Sequence, residues 1–223
     1  LASRPVEFRR EVQSVEQVRL VGVAGMIAIG LFTRPAAWAF VALFGYVFLI
    51  DKAQYLNHFY MVLLFGAILG VVPSDRVWSV AAWWRQRRGR PGAGTVPGWA
   101  LLLPRLQLEV ILIYAGLVKL NWDWLDLRPL GDWLRSHDEL PLLGPLFHYD
   151  AVVAVGAYGA IALHLIGAPL LFSRRFRLPV FIAYCGFHLL NVQLFNIGIF
   201  PWLTIAATTI MFDPDWPRRL LRR

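Results

Sequence analysis

A lysine at the end of an apolar run sets the chemistry this chain is able to do. Lys119 closes the segment from Leu106, and Leu120, Asn121, Trp122, Asp123 and Trp124 follow at once. An ammonium in lipid, or half out of water, is costly unless it pairs, reaches water or loses its proton. Losing the proton turns the lysine into a base. The residue alone leaves two readings open. Lys119 snorkels to the headgroups or pairs with Asp123 four residues on, or it works as a neutral amine.

Two histidine clusters join it. Asn57 and His58 stand in Asp51-Lys-Ala-Gln-Tyr-Leu-Asn-His-Phe-Tyr60 at the start of an apolar stretch. A histidine at an interface handles protons near neutral pH, or it is simply satisfied by a neighbouring backbone group. His188, Asn191 and Phe195 follow spacings of three and four, which places them on one helical face. With Gln193 they put polar groups into an apolar span. Such groups face the bundle interior or a cavity, or they bond neighbouring helices together. The helix is expected to break near Asn196-Ile-Gly198, with Pro201 restarting the next one. Arg105 and Glu109, four apart, read as a mutual ion pair, Asp51-Lys52 as an interfacial pair, and His164 as a satisfied bundle histidine. No Gly-rich phosphate loop, His-x-x-x-His zinc pattern or serine nucleophile elbow is present. The single Cys185 excludes an intramolecular disulfide and a multi-cysteine metal site.

The elements that must position these residues are membrane helices. The 223 residues are 58% hydrophobic and 16% charged, against roughly 45–50% and about 25% in soluble domains. The expected fold is all-α, a polytopic transmembrane bundle of about seven helices: Val18–Phe32, Ala36–Ile50, Tyr55–Val72, Leu102–Leu120, Ala151–Phe172, Leu178–Phe195 and Ile199–Phe212. Residues 1–17 are polar and read as juxtamembrane. Arg34-Pro35 separates the first two helices, and Val77–Trp84 reads as an interfacial amphipathic helix. The net charge of +8 comes from arginines in short loops, which fits membrane topology and not nucleic-acid binding. Basic residues in 73–101, in Ser173-Arg-Arg-Phe-Arg177 and at 218–223 all fall on one side, the cytoplasmic one. The acidic loop 121–150 is then extracytoplasmic, and Lys119, His58, His188 and Asn191 converge on the outer leaflet. The chain reads as a single transmembrane domain over 1–223. Its start at Leu1 instead of Met leads us to expect an excerpt of a longer protein.

In this order, the motifs resemble the membrane domain of the vitamin K-dependent gamma-glutamyl carboxylase family and its bacterial homologues of the horizontally transferred transmembrane type. Four stretches carry the resemblance: Phe48-Leu-Ile-Asp-Lys-Ala-Gln-Tyr-Leu-Asn-His58, Tyr114-Ala-Gly-Leu-Val-Lys-Leu-Asn-Trp-Asp-Trp124, Phe187-His-Leu-Leu-Asn-Val-Gln-Leu-Phe-Asn-Ile-Gly-Ile-Phe200 and Asp213-Pro-Asp-Trp-Pro-Arg218. Animal members carry two successive lysines where this chain has Val118-Lys119. The resemblance implies that a neutral lysine, here Lys119, deprotonates vitamin K hydroquinone or menaquinol. Oxygen then adds, a strong base forms on the way to the epoxide, and a peptidyl glutamate takes up carbon dioxide. It implies that His58 serves the glutamate half and that Asn57, His188, Asn191 and Phe195 line the quinol cavity. No metal is implied. The partners implied are a lipid-soluble quinol, a glutamate-containing peptide and membrane lipids, in a bacterial inner membrane with the active side extracytoplasmic. Three alternatives stay open: menaquinol epoxidation without carboxylation, a non-catalytic module that binds or moves a lipid-like molecule, and a structural subunit of a redox complex.

Overall fold

The computed structural model describes residues 18–50, 57–90, 92, 95–141, 143–195 and 197–221. Among the described residues all regular structure is helical. The chain forms two compact units, Leu1–Pro104 and Arg105–Arg223.

In the first unit, α1 runs over Val18–Ile29, α2 over Thr33–Ile50, α3 over Asn57–Val71 and α4 over Val80–Arg87. The break expected at Arg34-Pro35 comes earlier. Gly30 and Phe32 take the left-handed conformation (φ 69° and 48°), which suits glycine and turns the chain sharply. Pro35 instead sits in the first turn of α2, where its missing N–H costs nothing. Helices α2 and α3 pack antiparallel through small residues: Gly45 faces Leu63, Gly66 faces Val41, and Gly70 lies against the Trp38 indole. Phe40, Phe44 and Phe59 continue that contact, with ring centres 5.4 and 5.6 Å apart. Ser79 caps α4 by accepting the Ala82 N–H at 2.9 Å, the role a serine fills best at a helix start.

Helix α5, Gly98–Leu117, contains Pro104, where the two units meet in sequence. The second unit continues with α6 (Trp122–Leu125), α7 (Arg128–Arg135), α8 (Asp150–Leu170), α9 (Arg177–Leu194), α10 (Phe200–Thr208) and α11 (Trp216–Leu221). The acidic segment 121–150, expected as a loop, is folded. It holds α6, α7 and a 3-10 turn at Gly144–His148. Asn121 caps α6 through the Trp124 N–H at 3.0 Å, and Pro129 enters α7 in its first turn. Leu130 and Leu134 of α7 close over Phe147, Val153, Ala157 and Leu194 in a small core. Arg177 is buried and donates to the Leu171 and Phe172 carbonyls at 3.0 and 3.3 Å, and to Asp213 at 3.3 Å. It ties the turn before α9 to the chain leaving α10.

Two helices, Gly98–Leu117 and Asp150–Leu170, are long and apolar enough to cross a membrane, and only 28% and 33% of their apolar windows are buried. A core helix of a soluble protein would be mostly covered, so these exposed faces suit lipid. The apolar helices Val18–Ile29, Thr33–Leu49, His58–Val71 and Phe200–Met211 are shorter. Among the described residues the all-helical expectation holds, and two of the expected seven helices meet both the length and the apolarity of a membrane span. The turn at Gly30–Phe32 ends the first helix at Ile29, earlier than the apolar pattern alone would run it.

Candidate functional site around Lys119

Helix α5 stops at Leu117, so Lys119 stands in a turn past the helix end and not on it. The last carbonyls of a helix have no partner within it, and a cation there also meets the negative end of the dipole. Lys119 uses this: its Nζ donates to the Ala115 carbonyl at 2.6 Å. The same Nζ lies 5.3 Å from the centre of the Trp124 ring. The ion pair with Asp123, one of the readings the spacing allowed, does not form. Asp123 is exposed, and among the described residues the ammonium has no carboxylate partner. Half-buried two residues beyond the span, Lys119 is held below the usual lysine pKa by its removal from water.

An aromatic row extends from that amine. Trp124 meets Trp133 at 6.4 Å, and Trp133 meets Phe195 edge-on at 5.8 Å. The Trp124 indole N–H donates to the Ala157 carbonyl at 3.3 Å, which anchors the row on α8. Phe195 was expected on the helical face of His188 and Asn191. It has left α9, in extended conformation (φ −133°, ψ 134°), with its N–H still bonded to the Asn191 carbonyl at 2.9 Å. That departure is what brings its ring to Trp133.

His188 is buried, stacked on Tyr184 at 6.1 Å and edge-on to Phe187 and Phe200 at 5.2 and 5.8 Å. Among the described residues neither of its ring nitrogens has a hydrogen-bond partner. Asn191 is half-buried and Gln193 exposed, so the polar groups of α9 do not all turn inward. His164 is satisfied as expected, its Nδ1 donating to the Ala160 carbonyl at 2.7 Å. It sits in a π-helical turn, Leu163–Gly167, whose Leu163 carbonyl accepts the Tyr184 hydroxyl at 3.0 Å. The His164 ring contacts Tyr184 and Phe187, and its Cβ lies against Gly116, one turn before Lys119. His164 and Tyr184 thus stand between Lys119 and His188. Their only signal in the sequence was a lone histidine and a lone tyrosine in apolar runs.

The expected Arg105–Glu109 pair is absent. Arg105 donates to the Ile210 and Phe212 carbonyls at 2.9 and 2.8 Å. Glu109 is buried with neither oxygen bonded among the described residues. In the first unit His58 is half-buried, its ring edge-on to Phe59 at 4.7 Å. The side chain of Asn57 and the Asp51-Lys52 pair lie outside the described residues, as does the polar segment 1–17.

Against known families, the HTTM domain matches residues 11–216, nearly the whole chain. This chain belongs to the HTTM domain family. The HTTM domain is a membrane domain and is found in the vitamin K-dependent gamma-carboxylase family, which is where the motifs around Lys119 and His188 pointed. No solved structure matches this HTTM chain.

Proposed function

We propose that this HTTM domain is a membrane enzyme acting on a lipid-soluble quinol, with Lys119 as the base that takes the quinol's hydroxyl proton. The observation that carries this reading is the state of Lys119: half-buried and, among the described residues, without a carboxylate partner, its Nζ donating to a backbone carbonyl and facing the Trp124 ring. A carboxylate partner would keep the ammonium charged. Burial without one favours the neutral amine that general-base catalysis needs. The residues beside it fit a flat apolar ring with an acidic hydroxyl. Trp124, Trp133 and Phe195 offer apolar ring surfaces, and the amine is the polar group among them. The quinol, oxidised by O2 to its epoxide, supplies a base strong enough to take a glutamate γ proton so that CO2 can add. Lys119 accepts and holds a proton at Nζ, and the Trp124 indole covers one side of it. The unbonded ring nitrogens of His188 are suited to a second polar group of the ligand. His58, and the roles of Asn57 and Asn191, are assigned by resemblance alone. The basic loops support an extracytoplasmic site.

The test is epoxide formation by the protein in nanodiscs with menaquinol or vitamin K hydroquinone, O2 and a glutamate peptide. Wild type should form epoxide, and Lys119→Ala should lose about 10²–10⁴-fold in rate, the usual worth of a general base. Lys119→Arg should fail equally, because a guanidinium does not give up its proton. Labelled CO2 separates carboxylation from epoxidation alone. A folded wild type that binds quinol but forms no epoxide would overturn the enzymatic reading.

A further inference from the structure

We propose that the first unit carries a binding site for one anionic glycerophospholipid, formed where the α1–α2 turn docks on the start of α4. This inference is independent of the chemistry at Lys119. A cavity and an adjoining groove define it. The cavity, of about 310 Å³, is lined by Arg34, Arg76, Arg85, Asp75, Pro73 and Gly92. The other is a wide, shallow surface groove lined by Ile29, Trp78, Ser79, Val80 and Trp83. The first is basic and the second apolar. They share a boundary, because the Ser79 hydroxyl donates to the Asp75 carbonyl at 2.7 Å.

The local fold holds this junction in place. Gly30, at φ 69°, packs so closely on Ser79 that a Cβ has no room, and the Ala81 N–H donates to the Gly30 carbonyl at 3.3 Å. These contacts fix the α1–α2 turn, and Arg34 just after it, beside the loop that carries Asp75 and Arg76. Arg85 is spoken for: it donates to the Asp75 carboxylate at 3.1 Å and to its carbonyl at 2.6 Å. That pair neutralises Asp75 and leaves Arg34 and Arg76 exposed, with no hydrogen-bond or carboxylate partner among the described residues. Two unpaired guanidiniums at the rim of a polar cavity match a phosphodiester, whose oxygens accept paired N–H donors. The indoles of Trp78, Trp83 and Trp84 are exposed and suit the headgroup depth of a bilayer. An acyl chain laid along Ile29, Trp78, Val80 and Trp83 would then start where the phosphate is held. Charge complementarity and the order of cavity and groove select an anionic phospholipid over a zwitterionic one.

The test uses the full chain in mild detergent. Binding is measured by native mass spectrometry and by the thermal shift on adding phosphatidylglycerol, phosphatidylcholine or inorganic phosphate. Wild type should bind one phosphatidylglycerol in preference to phosphatidylcholine. The exposed double variant Arg34→Ala/Arg76→Ala should lose that preference by about tenfold or more, since each arginine near an anionic headgroup is worth about 1 kcal/mol. Arg88→Ala/Arg90→Ala removes two exposed arginines that line neither the cavity nor the groove and should keep it. Equal binding of the two lipids by wild type would overturn the site. An equal loss in the Arg88/Arg90 control would also overturn it, showing diffuse surface attraction. Stabilisation by inorganic phosphate matching that by phosphatidylglycerol would reduce it to an anion site and overturn the lipid assignment.

Discussion

At the scale of single residues, the decisive fact is that Lys119 is bonded to a carbonyl and not to Asp123. Activity that needs the neutral amine rises with pH through the Lys119 pKa. Burial lowers that pKa, so the acid limb of the epoxidation rate should lie below the ordinary lysine value of about 10.4. A carboxylate partner would act the other way and hold the limb high. Asp123→Asn should therefore leave the limb where it is in wild type. A move to lower pH in Asp123→Asn would show an ion pair and count against the neutral amine. The lysine itself was legible in the sequence, because its type conflicts with its surroundings. Its partner was not, because the four-residue spacing to Asp123 assumes a helix that in fact ends at Leu117. Glu109 shows the same limit. Spacing offered it Arg105, but two backbone carbonyls near the end of α10 take that guanidinium first.

At the scale of elements, apolar runs located the helices well. The helix expected over Leu178–Phe195 is found at Arg177–Leu194. Two local devices were invisible to periodicity. The π-helical turn at Leu163–Gly167 inserts a residue without any compositional mark, and the departure of Phe195 from α9 carries its ring to Trp133, a contact distant in sequence. The segment 121–150 was read as a loop because its helices are too short to show a periodic pattern. The π turn packs directly on α5 through Gly116, where a Cβ would lie 2.7 Å from Leu165 and 2.9 Å from the His164 Cβ. Gly116→Ala should therefore cost about 1–3 kcal/mol by overpacking and lower the melting temperature in nanodiscs. Gly159→Ala, on α8 where a Cβ meets nothing within 4 Å, should instead gain about 0.5–1 kcal/mol by helix propensity. Equal effects from the two substitutions would mean that α5 and the π turn are not in close contact.

At the scale of the whole molecule, the charge bias and the two long apolar helices make a joint claim about sidedness. Arg85, Arg87, Arg88 and Arg90 precede α5, and Arg174, Arg175 and Arg177 follow α8. If α5 and α8 each cross once, both arginine groups lie on one side and the segment between the helices lies on the other. Arginine clusters are retained in the cytoplasm, so on that topology Lys119, Trp124 and Trp133 are expected outside. In a Cys185→Ser background, Ser136→Cys should react with an impermeant maleimide on intact cells. Arg90→Cys and Arg174→Cys should react only after the membrane is opened. Labelling of Arg90→Cys and Ser136→Cys from the same side would show that α5 does not cross. Labelling of Ser136→Cys and Arg174→Cys from the same side would show that of α8. The expected pattern places the amine of Lys119 at the outer boundary of the bilayer, within reach of both a quinol arriving through lipid and a peptide arriving through water. The proposed reaction needs both substrates at that boundary, so the labelling result bears on the proposal as well as on the topology.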